Sequence, residues 1–358
     1  MQLPLTGLTS AEIAGRLVGL GQPAWRGRQV AAWLYRRGAS DFDAMTDLPL
    51  ALRGQLAREF VTGLPETVLK VDAADGTAKY LLRLGDGEIV ESVYLPYSSR
   101  TSCCLSTQVG CAAGCRFCAT GQGGFSRNLT AGEIVGQLLA MQRDGRRITH
   151  VVYMGMGEPL WNYAATVESV RLLTSEVGLS ARNITISTVG IAPAIRKMAS
   201  ERLPVTLALS LHAPDDHLRA RLIPTARKWK LDDILSACHE WTISTRRNLT
   251  FEYLLIAGVN DAPAQARALA QLLARHQLPG NVNLIPFNAV DNALGYRRPT
   301  SAAIGAFRAE LERAGRVTTQ RMTRGLAIAA ACGQLRGSHA GKPRQTGVIS
   351  LTPIAAEA

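Results

Sequence analysis

The sequence has no long hydrophobic segment and no secretion signal. No apolar run approaches the roughly 18 consecutive residues that a membrane-spanning helix needs, so we expect no membrane anchor. The first residues, MQLPLTGLTSAEIAGRL, have neither the basic start nor the apolar core of a signal peptide. We therefore expect a cytoplasmic protein.

Lysine is also scarce, although the chain is strongly basic. Lys and Arg total 40 against 28 Asp and Glu, a net charge of +12, and only 6 of the 40 are lysines. Arginine presents a planar fork to phosphate and stacks on bases, so this composition favours a polyanionic partner such as RNA. A genome-wide codon bias toward arginine would give the same composition, and charge alone does not separate the two explanations.

Three sequence patterns follow one another along the chain. Residues 1–65 are predicted to form amphipathic helices edged by arginine, and Thr9 or Ser10 is the expected N-cap of the first helix. Residues 66–97 alternate between apolar and polar side chains, which predicts a β-hairpin or small meander. Residues 98–335 repeat a strand, a loop and an amphipathic helix. The chain is therefore expected to hold a helical module, a β extension and a larger α/β core.

The α/β core contains six strand–helix units in a row. Such a series is typical of a parallel sheet covered by helices, here an open or partial barrel. Ligands of such folds bind at the carboxyl ends of the strands. A basic, irregular tail, residues 336–358, follows the core. The strand candidates are SCCLSTQ, THVVYMG, NITISTV, PVTLALSLH, LTFEYLLI and NVNLIPF.

Five of the seven cysteines lie between residues 103 and 118. Cys111, Cys115 and Cys118 form a C-x3-C-x2-C motif in the loop after the first barrel strand. Structural zinc sites need four closed ligands, and electron-transfer ferredoxins supply four cysteines per cluster. No fourth Cys or His completes the motif at these spacings. The motif therefore predicts a 4Fe–4S cluster with three irons held by thiolates and one iron open to a cofactor.

The cysteine motif and the barrel resemble the radical S-adenosylmethionine (SAM) superfamily, whose open iron binds the amino and carboxylate groups of SAM. Six further motifs resemble the RlmN/Cfr family of rRNA adenine methyltransferases, and this resemblance covers nearly the whole chain, including the helical N-terminus. The resemblance implies a partial (β/α)6 barrel with a small N-terminal helical domain and a β extension. The six motifs are ESVYLP (91–96), STQVG (106–110), MGMGEP (154–159), SLHAP (210–214), IPFN (285–288) and AACGQL (330–335).

This resemblance also implies the cofactors and their ligands. The cluster is expected on Cys111, Cys115 and Cys118, and SAM is expected against the ends of several barrel strands. The expected SAM contacts are Gly157, Glu158, Ser187, Ser210, Leu211, His212 and Asn288.

The resemblance implies a methylated cysteine as intermediate. One SAM methylates Cys332, and a second SAM yields a radical that takes a hydrogen from this methyl group, which then adds to the adenine carbon. Glu91 removes a proton from that carbon, and Cys104 releases the product by forming a disulfide with Cys332. The alternation of side chains along a strand supports Cys104 over Cys103 as the releasing thiol. Cys104 shares a face with polar residues, whereas Cys103 faces the outer helices. Cys103 and Cys238 are expected to be packing residues.

Two basic regions are candidates for RNA contact. Arginines and aromatic residues alternate in the N-terminal helices, a pattern that can hold phosphate and stack bases, although a solvated helix face with tryptophan in a local core has the same pattern. The first region contains Arg16, Arg26, Arg28, Arg36 and Arg37 with Trp25, Trp33 and Tyr35, and the second contains Arg219, Arg221 and Arg227.

One loop differs from the family pattern and leaves the product open. Leu326, Ala327 and Ala329 stand where the family commonly has Asp or Asn. The helical N-terminus favours RlmN-like activity. That activity methylates carbon 2 of an adenosine in 23S rRNA and of the adenosine beside the anticodon in tRNA. Cfr-like methylation of carbon 8 and a non-catalytic Fe–S RNA-binding role are the alternatives. The presence of Cys104, Glu91 and Cys332 together argues against the non-catalytic role, because a binding protein needs none of them. The expected partners are 23S rRNA, tRNA and an electron donor such as flavodoxin or ferredoxin, with a monomer as the default.

Overall fold

The computed structural model describes residues 2–290 and 294–336. All of the predicted tail except Arg336 therefore lies outside the described residues. None of the helices within the described residues has both the length and the hydropathy to cross a lipid bilayer.

The chain begins with three helices and a short parallel strand pair. The first helix begins where Thr9 and Glu12 form a capping box: the Thr9 N–H donates to Glu12 Oε2 over 2.7 Å, and the Glu12 N–H donates to Thr9 Oγ1 over 3.2 Å. This confirms Thr9, one of the two candidates, as the N-cap. The elements are β1 (Leu3–Pro4), α1 (Ser10–Gly19), α2 (Arg26–Tyr35), α3 (Leu50–Glu59) and β2 (Phe60–Val61).

Three antiparallel strands follow, β3 (Glu66–Asp72), β4 (Ala78–Arg83) and β5 (Ile89–Pro96). The turns that join them contain the Asp-Gly pairs 75–76 and 86–87, and both glycines have a positive φ. The last strand pairs antiparallel with β6 (Thr101–Cys104), with Val93 opposite Cys104. The β extension therefore continues the sheet of the barrel.

The barrel sheet confirms the predicted α/β fold. All six strand candidates form strands, and they pair in parallel in chain order. A seventh parallel strand, β14 (Thr318–Gln320), was not predicted, because a three-residue strand shows no periodicity. The cysteine loop contains β7 (Gln108–Gly110), α4 (Ala119–Gln122) and β8 (Phe125–Asn128). The remaining strands are β9 (His150–Tyr153), β10 (Ile184–Thr188), β11 (Thr206–Ser210), β12 (Leu249–Leu255), β13 (Gly280–Pro286) and β14 (Thr318–Gln320).

Helices connect successive barrel strands and form the hydrophobic core with them. The strands read as nearly continuous apolar runs because both faces of the sheet are covered. The carboxyl ends of the strands consequently share one edge, and this edge carries the candidate site. The helices are α5 (Ala131–Arg143), α6 (Tyr163–Ser175), α7 (Ala192–Ser200), α8 (Asp216–Leu222), α9 (Leu231–Thr245), α10 (Pro263–Arg275) and α11 (Ser301–Arg313).

Candidate active site

The cysteine loop lies at the carboxyl edge of the barrel. The Cys111 N–H donates to the Gly124 carbonyl over 2.7 Å, and the Cys118 N–H donates to the Cys115 carbonyl over 3.1 Å. Cys111 and Cys115 are buried, and Cys118 is partly buried. All three line an open cavity of about 910 Å³. The structure therefore brings the three predicted cluster ligands to one wall of one cavity.

The donor set fits a cluster better than a single ion. Among residues 2–290 and 294–336, no three His, Cys, Asp or Glu side chains come close enough to hold one metal ion. Three thiolates that each bind a different iron do not need to meet at one point. Burial raises the pKa of Cys111 to about 12, so the thiols ionise only when the positive charge of iron offsets burial.

Glu158 is a buried carboxylate in the same cavity. It is 2% exposed, and its two oxygens accept the N–H groups of Leu160 over 2.9 Å and Val189 over 2.7 Å. Gly157 before it has φ +105°, and a Cβ there would lie 2.7 Å from Thr107 Oγ1. The tight turn that aims Glu158 therefore requires glycine. Burial raises the pKa of Glu158 to about 7.

We expect SAM binding to weaken below pH 7. The ionised carboxylate is the better acceptor for the SAM amino group, and a carboxyl with a pKa of about 7 loses its charge as the pH falls through that value. Affinity should be constant above pH 8 and about tenfold lower at pH 6, when measured by equilibrium binding to the cluster-containing protein. The Glu158→Gln variant should bind weakly with no such pH dependence; an unchanged profile in this variant would contradict the assignment.

The ends of the next strands supply the other predicted SAM contacts. Ser187 on β10 and Ser210 on β11 both line the cavity, with their Oγ atoms 3.4 Å apart. His212 also lines it; its Nδ1 accepts the Leu254 N–H over 3.0 Å, so the proton lies on Nε2. Burial lowers the pKa of His212 to about 3, which keeps the ring neutral. Leu211 is fully buried and does not line the cavity.

A second cavity of about 700 Å³ adjoins the first. Cys332 and Asn288 line both cavities, whereas Cys104 lines only the second. The Asn288 side-chain amide donates to the Cys332 carbonyl over 3.2 Å and so holds the Cys332 loop. Cys332 therefore lies at the boundary between the expected SAM site and a space that also reaches Cys104. Within the described residues, both thiols are free.

The Cys332 loop is fastened to the cluster loop and to the β extension. The Ala119 N–H donates to the Gly333 carbonyl over 2.7 Å, and the Gly325 N–H donates to Asp75 Oδ2 over 3.1 Å. Ala329, where the family commonly has Asp or Asn, adopts φ +50°. This left-handed conformation is less costly for Asn than for Ala. The departure from the family pattern thus lies where the backbone is strained.

Glu91 lies on β5 and is 4% exposed. It shares a face with Val93, the cross-strand partner of Cys104. Its Oε2 accepts the Arg336 N–H over 3.4 Å and lies 3.9 Å from Lys79 Nζ. Glu91 lines neither cavity. Glu91 therefore lies near the Cys332 loop, but its side chain does not line the second cavity, which is the space that a base would fill.

Sequence reasoning missed an ion pair inside the barrel. Arg321, directly after β14, lines both cavities, and its Nη1 lies 3.9 Å from Glu252 Oε2 on β12. The electrostatic attraction of Cys332 is the main cause of a raised pKa of Arg321. Burial raises the pKa of Cys104 to about 12, and Arg321 opposes that shift. The sequence could have indicated Glu252, because a carboxylate within the apolar run LTFEYLLI is unusual. No pattern in the sequence indicated that Arg321 belongs to the site.

Two of the residues predicted to contact RNA are buried, so these predictions were wrong. Arg219 is 0% exposed; its Nε donates to the Leu211 carbonyl over 3.1 Å and its Nη2 to the Ser210 carbonyl over 3.2 Å. It therefore ties strand ends together beneath the cavity. Tyr35 is 1% exposed, and its hydroxyl donates to the Leu8 carbonyl over 2.6 Å. It cannot stack on a base.

The rest of the N-terminal basic region is accessible. Trp25 is 46% exposed, and the Arg26 guanidinium lies 4.1 Å from its ring centroid. Arg37 lies 4.2 Å from the ring centroid of the partly buried Trp33. Such stacked pairs offer both a cation for phosphate and a flat surface for a base. Arg26 is partly buried, and the exposed arginines of this region are Arg16, Arg28, Arg36 and Arg37.

Two family descriptions match separate parts of the chain. The Radical SAM superfamily matches residues 105–269, which contain the cysteine loop. The ribosomal RNA large subunit methyltransferase N-terminal domain matches residues 3–61.

Individual relatives match nearly the full length. A probable dual-specificity RNA methyltransferase RlmN of Gloeobacter violaceus is 47% identical over 337 residues, covering 94% of this chain and 96% of that protein. One of the same description from Symbiobacterium thermophilum is 49% identical, covering 93% and 91%. The crystal structure of a radical SAM methyltransferase from Sphaerobacter thermophilus is 46% identical with a TM-score of 0.90, covering 94% of this chain and 100% of that one.

Proposed function

Because this chain belongs to the RlmN family of radical SAM RNA methyltransferases, we propose that it methylates carbon 2 of an adenosine in 23S rRNA and of the adenosine beside the anticodon in tRNA. The observation that carries this proposal is the position of Cys332, which lines both the cavity of the cysteine loop and the cavity of Cys104. A thiol at this boundary can receive a methyl group on one side and deliver it on the other.

The cofactors are a 4Fe–4S cluster and SAM. When bound, they supply the methyl group and the one-electron chemistry of the reaction. Cys111, Cys115 and Cys118 hold the cluster. Glu158 accepts from the SAM amino group, and the neutral His212 offers its Nε2 proton as a donor. Ser187, Ser210 and Asn288 line the same cavity and complete the SAM site, whereas Leu211, which was also expected there, does not line it.

The chain's own residues then carry the methyl group and release the product. Cys332 holds the carbon between its sulfur and the base. Cys104 attacks the Cys332 sulfur, so that an S–S bond forms and the S–C bond breaks. The electron pair of the broken bond stays with the carbon, which takes up a proton and becomes the methyl group of the product. Burial favours the neutral Cys104 thiol by raising its pKa, and the Arg321 guanidinium opposes that shift and so favours the Cys104 thiolate.

Glu91 is the proposed acceptor of the proton from the adenine carbon. Its burial beside Lys79 and the Arg336 N–H supports a role within the site, although it lines neither cavity. Lys79 also donates to the Ala329 carbonyl over 3.5 Å. The pair of Glu91 and Lys79 therefore links proton acceptance to the position of the Cys332 loop.

RNA is proposed to bind along the N-terminal basic region, whose exposed Trp25 and arginines suit single-stranded or loop RNA. The target base must then reach the second cavity, because of the two cavities described above it is the one that both Cys104 and Cys332 line. A protein with these substrates works in the cytoplasm. We propose that it acts as a monomer and that an electron donor such as flavodoxin or ferredoxin reduces the cluster.

The test identifies the methylated nucleoside. The protein is reconstituted anaerobically with iron and sulfide and given SAM, reductant and a 23S rRNA fragment or tRNA, and the digested RNA is analysed by mass spectrometry. We expect 2-methyladenosine. A product of 8-methyladenosine would assign Cfr-like chemistry, to which the altered residues Leu326, Ala327 and Ala329 would then be relevant. RNA without any methylated adenosine, with Cys332 unmodified, would overturn the proposal in favour of a non-catalytic role.

A further inference from the structure

We propose that the outer surface of the cysteine loop is the docking site of an acidic one-electron carrier protein, which reduces the cluster. We call this surface the cluster face; it is formed by the side chains of Arg116, Arg221, Arg227, Lys228 and Lys230. The proposal rests on the proposed function only because it requires a cluster on the cysteine loop.

The cluster face carries an excess of positive charge, although Asp215, Asp216, Asp232 and Asp233 flank its second segment. It comes from segments 109–124 and 217–230, whose 30 residues include six basic residues and no Asp or Glu. One of the six, Arg219, is buried, and the other five are exposed. None of these five forms an ion pair with an acidic side chain within residues 2–290 and 294–336. Their charge is therefore directed to solvent and attracts an acidic partner.

The two segments are joined directly over the cluster ligands. The Arg116 N–H donates to the Leu222 carbonyl over 3.0 Å, and Thr225 Oγ1 donates to the Ala113 carbonyl over 3.3 Å. The apolar side chains of α8 and the following turn pack in one cluster with the cysteines, and Cys115 is only 7% exposed. The cations therefore stand on a packed apolar layer that covers the thiols on the side away from the SAM cavity. A carrier seated there comes close to the cluster without entering either cavity.

The position of this surface favours a protein donor over RNA. None of its five cations lines the SAM cavity or the second cavity. RNA must deliver a base to the second cavity, whereas a carrier must only approach the cluster, so the two partners can bind at the same time. Trp229, which could stack on a base, is only partly exposed, and Lys228 Nζ lies 4.8 Å from its ring centroid. Arg221 and Arg227, first considered RNA contacts, are thereby reassigned to the donor.

The test measures reduction of the reconstituted cluster by anaerobic stopped-flow absorbance at low salt. The protein reductant is reduced flavodoxin, an acidic flavin protein, and the small neutral reductant is photoreduced deazariboflavin. The variant Arg221→Glu/Arg227→Glu reverses two charges of the cluster face. The matched control Arg147→Glu/Arg275→Glu reverses two exposed arginines elsewhere, and Arg221→Lys/Arg227→Lys keeps the charge.

We expect the second-order rate constant with flavodoxin to fall at least tenfold in Arg221→Glu/Arg227→Glu and to lose most of its salt dependence. The control and the lysine variant should keep the rate of the unaltered protein, and reduction by deazariboflavin should be the same in all of them. A second reversal, Lys228→Glu/Lys230→Glu, should give the same selective loss.

Other outcomes overturn the proposal. An unchanged rate of reduction by flavodoxin in both charge-reversal variants would overturn it. An equal loss of rate with flavodoxin and with deazariboflavin would also overturn it, because that result indicates a damaged cluster site. Weaker binding of 23S rRNA with an unchanged flavodoxin rate would assign the surface to RNA. Failure of the unaltered protein to methylate RNA with deazariboflavin as reductant would count against the proposed function, while the flavodoxin rates would still decide the docking site.

Discussion

Replacing Cys332 with alanine is expected to abolish methyl transfer while the cluster remains. Cys332 stands outside the C-x3-C-x2-C motif, and its side chain lines both cavities. Without its sulfur no residue carries the methyl group between them. We expect a loss on the order of 10³-fold or more, the scale seen when a covalent-catalysis nucleophile is removed. Methylated adenosine is measured by mass spectrometry, and the cluster by its visible absorbance.

The matched control is Cys238→Ala. Cys238 is fully buried on α9 and lines neither cavity, so its loss should cost stability of about 1 kcal/mol without abolishing methylation. Methylation by Cys332→Ala at the level of Cys238→Ala would contradict the proposal that Cys332 carries the methyl group. Loss of the visible absorbance in Cys332→Ala would instead show that this cysteine supports the cluster.

Replacing Cys104 with alanine is expected to trap a covalent protein–RNA adduct. Cys104 lines the second cavity together with Cys332, and its thiol is the proposed partner that breaks the bond between the Cys332 sulfur and the base. With alanine there, the bond forms but is not broken. Protein expressed with active cofactors should therefore retain RNA through denaturing purification, and mass spectrometry after nuclease digestion should find a nucleotide on the Cys332 peptide.

Cys103→Ala is a matched control in the same strand. Cys103 is fully buried and lines neither cavity, because successive side chains of β6 point to opposite faces. This variant should release its product and purify without RNA. A double variant, Cys104→Ala/Cys332→Ala, should also be free of RNA. Purification of Cys104→Ala without bound RNA, together with normal turnover, would exclude the proposed role of Cys104 in release.

The barrel was predictable because its strands are long enough to carry a pattern. The strands from β9 to β13 have four to seven residues each, are mostly apolar, and alternate with amphipathic helices. The same reasoning failed for β14, whose TTQ segment has three residues and no apolar pattern. Its pairing with β13 depends on the strand already in place beside it. Arg321, which directly follows β14, could not be placed either.

The cysteine loop and the glycine before Glu158 were recognisable because their chemistry depends on local spacing. The burial of individual charges was not recognisable in this way. Arg219 occurs in a basic stretch and was expected at the surface, yet carbonyl groups from the ends of two strands hold its guanidinium inside the barrel. The fate of such a side chain is decided by residues far away in sequence.

The sequence by itself determined the order of the first six barrel strands and their helices, the three thiols for the cluster, and the cysteine pair whose family resemblance implies methyl transfer. These features follow from periodicity and short-range spacing, which do not depend on how the side chains pack. Only the tertiary structure decided that Cys332 lies between two cavities, that Arg321 and Glu252 meet inside the barrel, and that the cations of the cluster face stand outside both cavities. Those facts depend on contacts between distant segments, which no local pattern encodes.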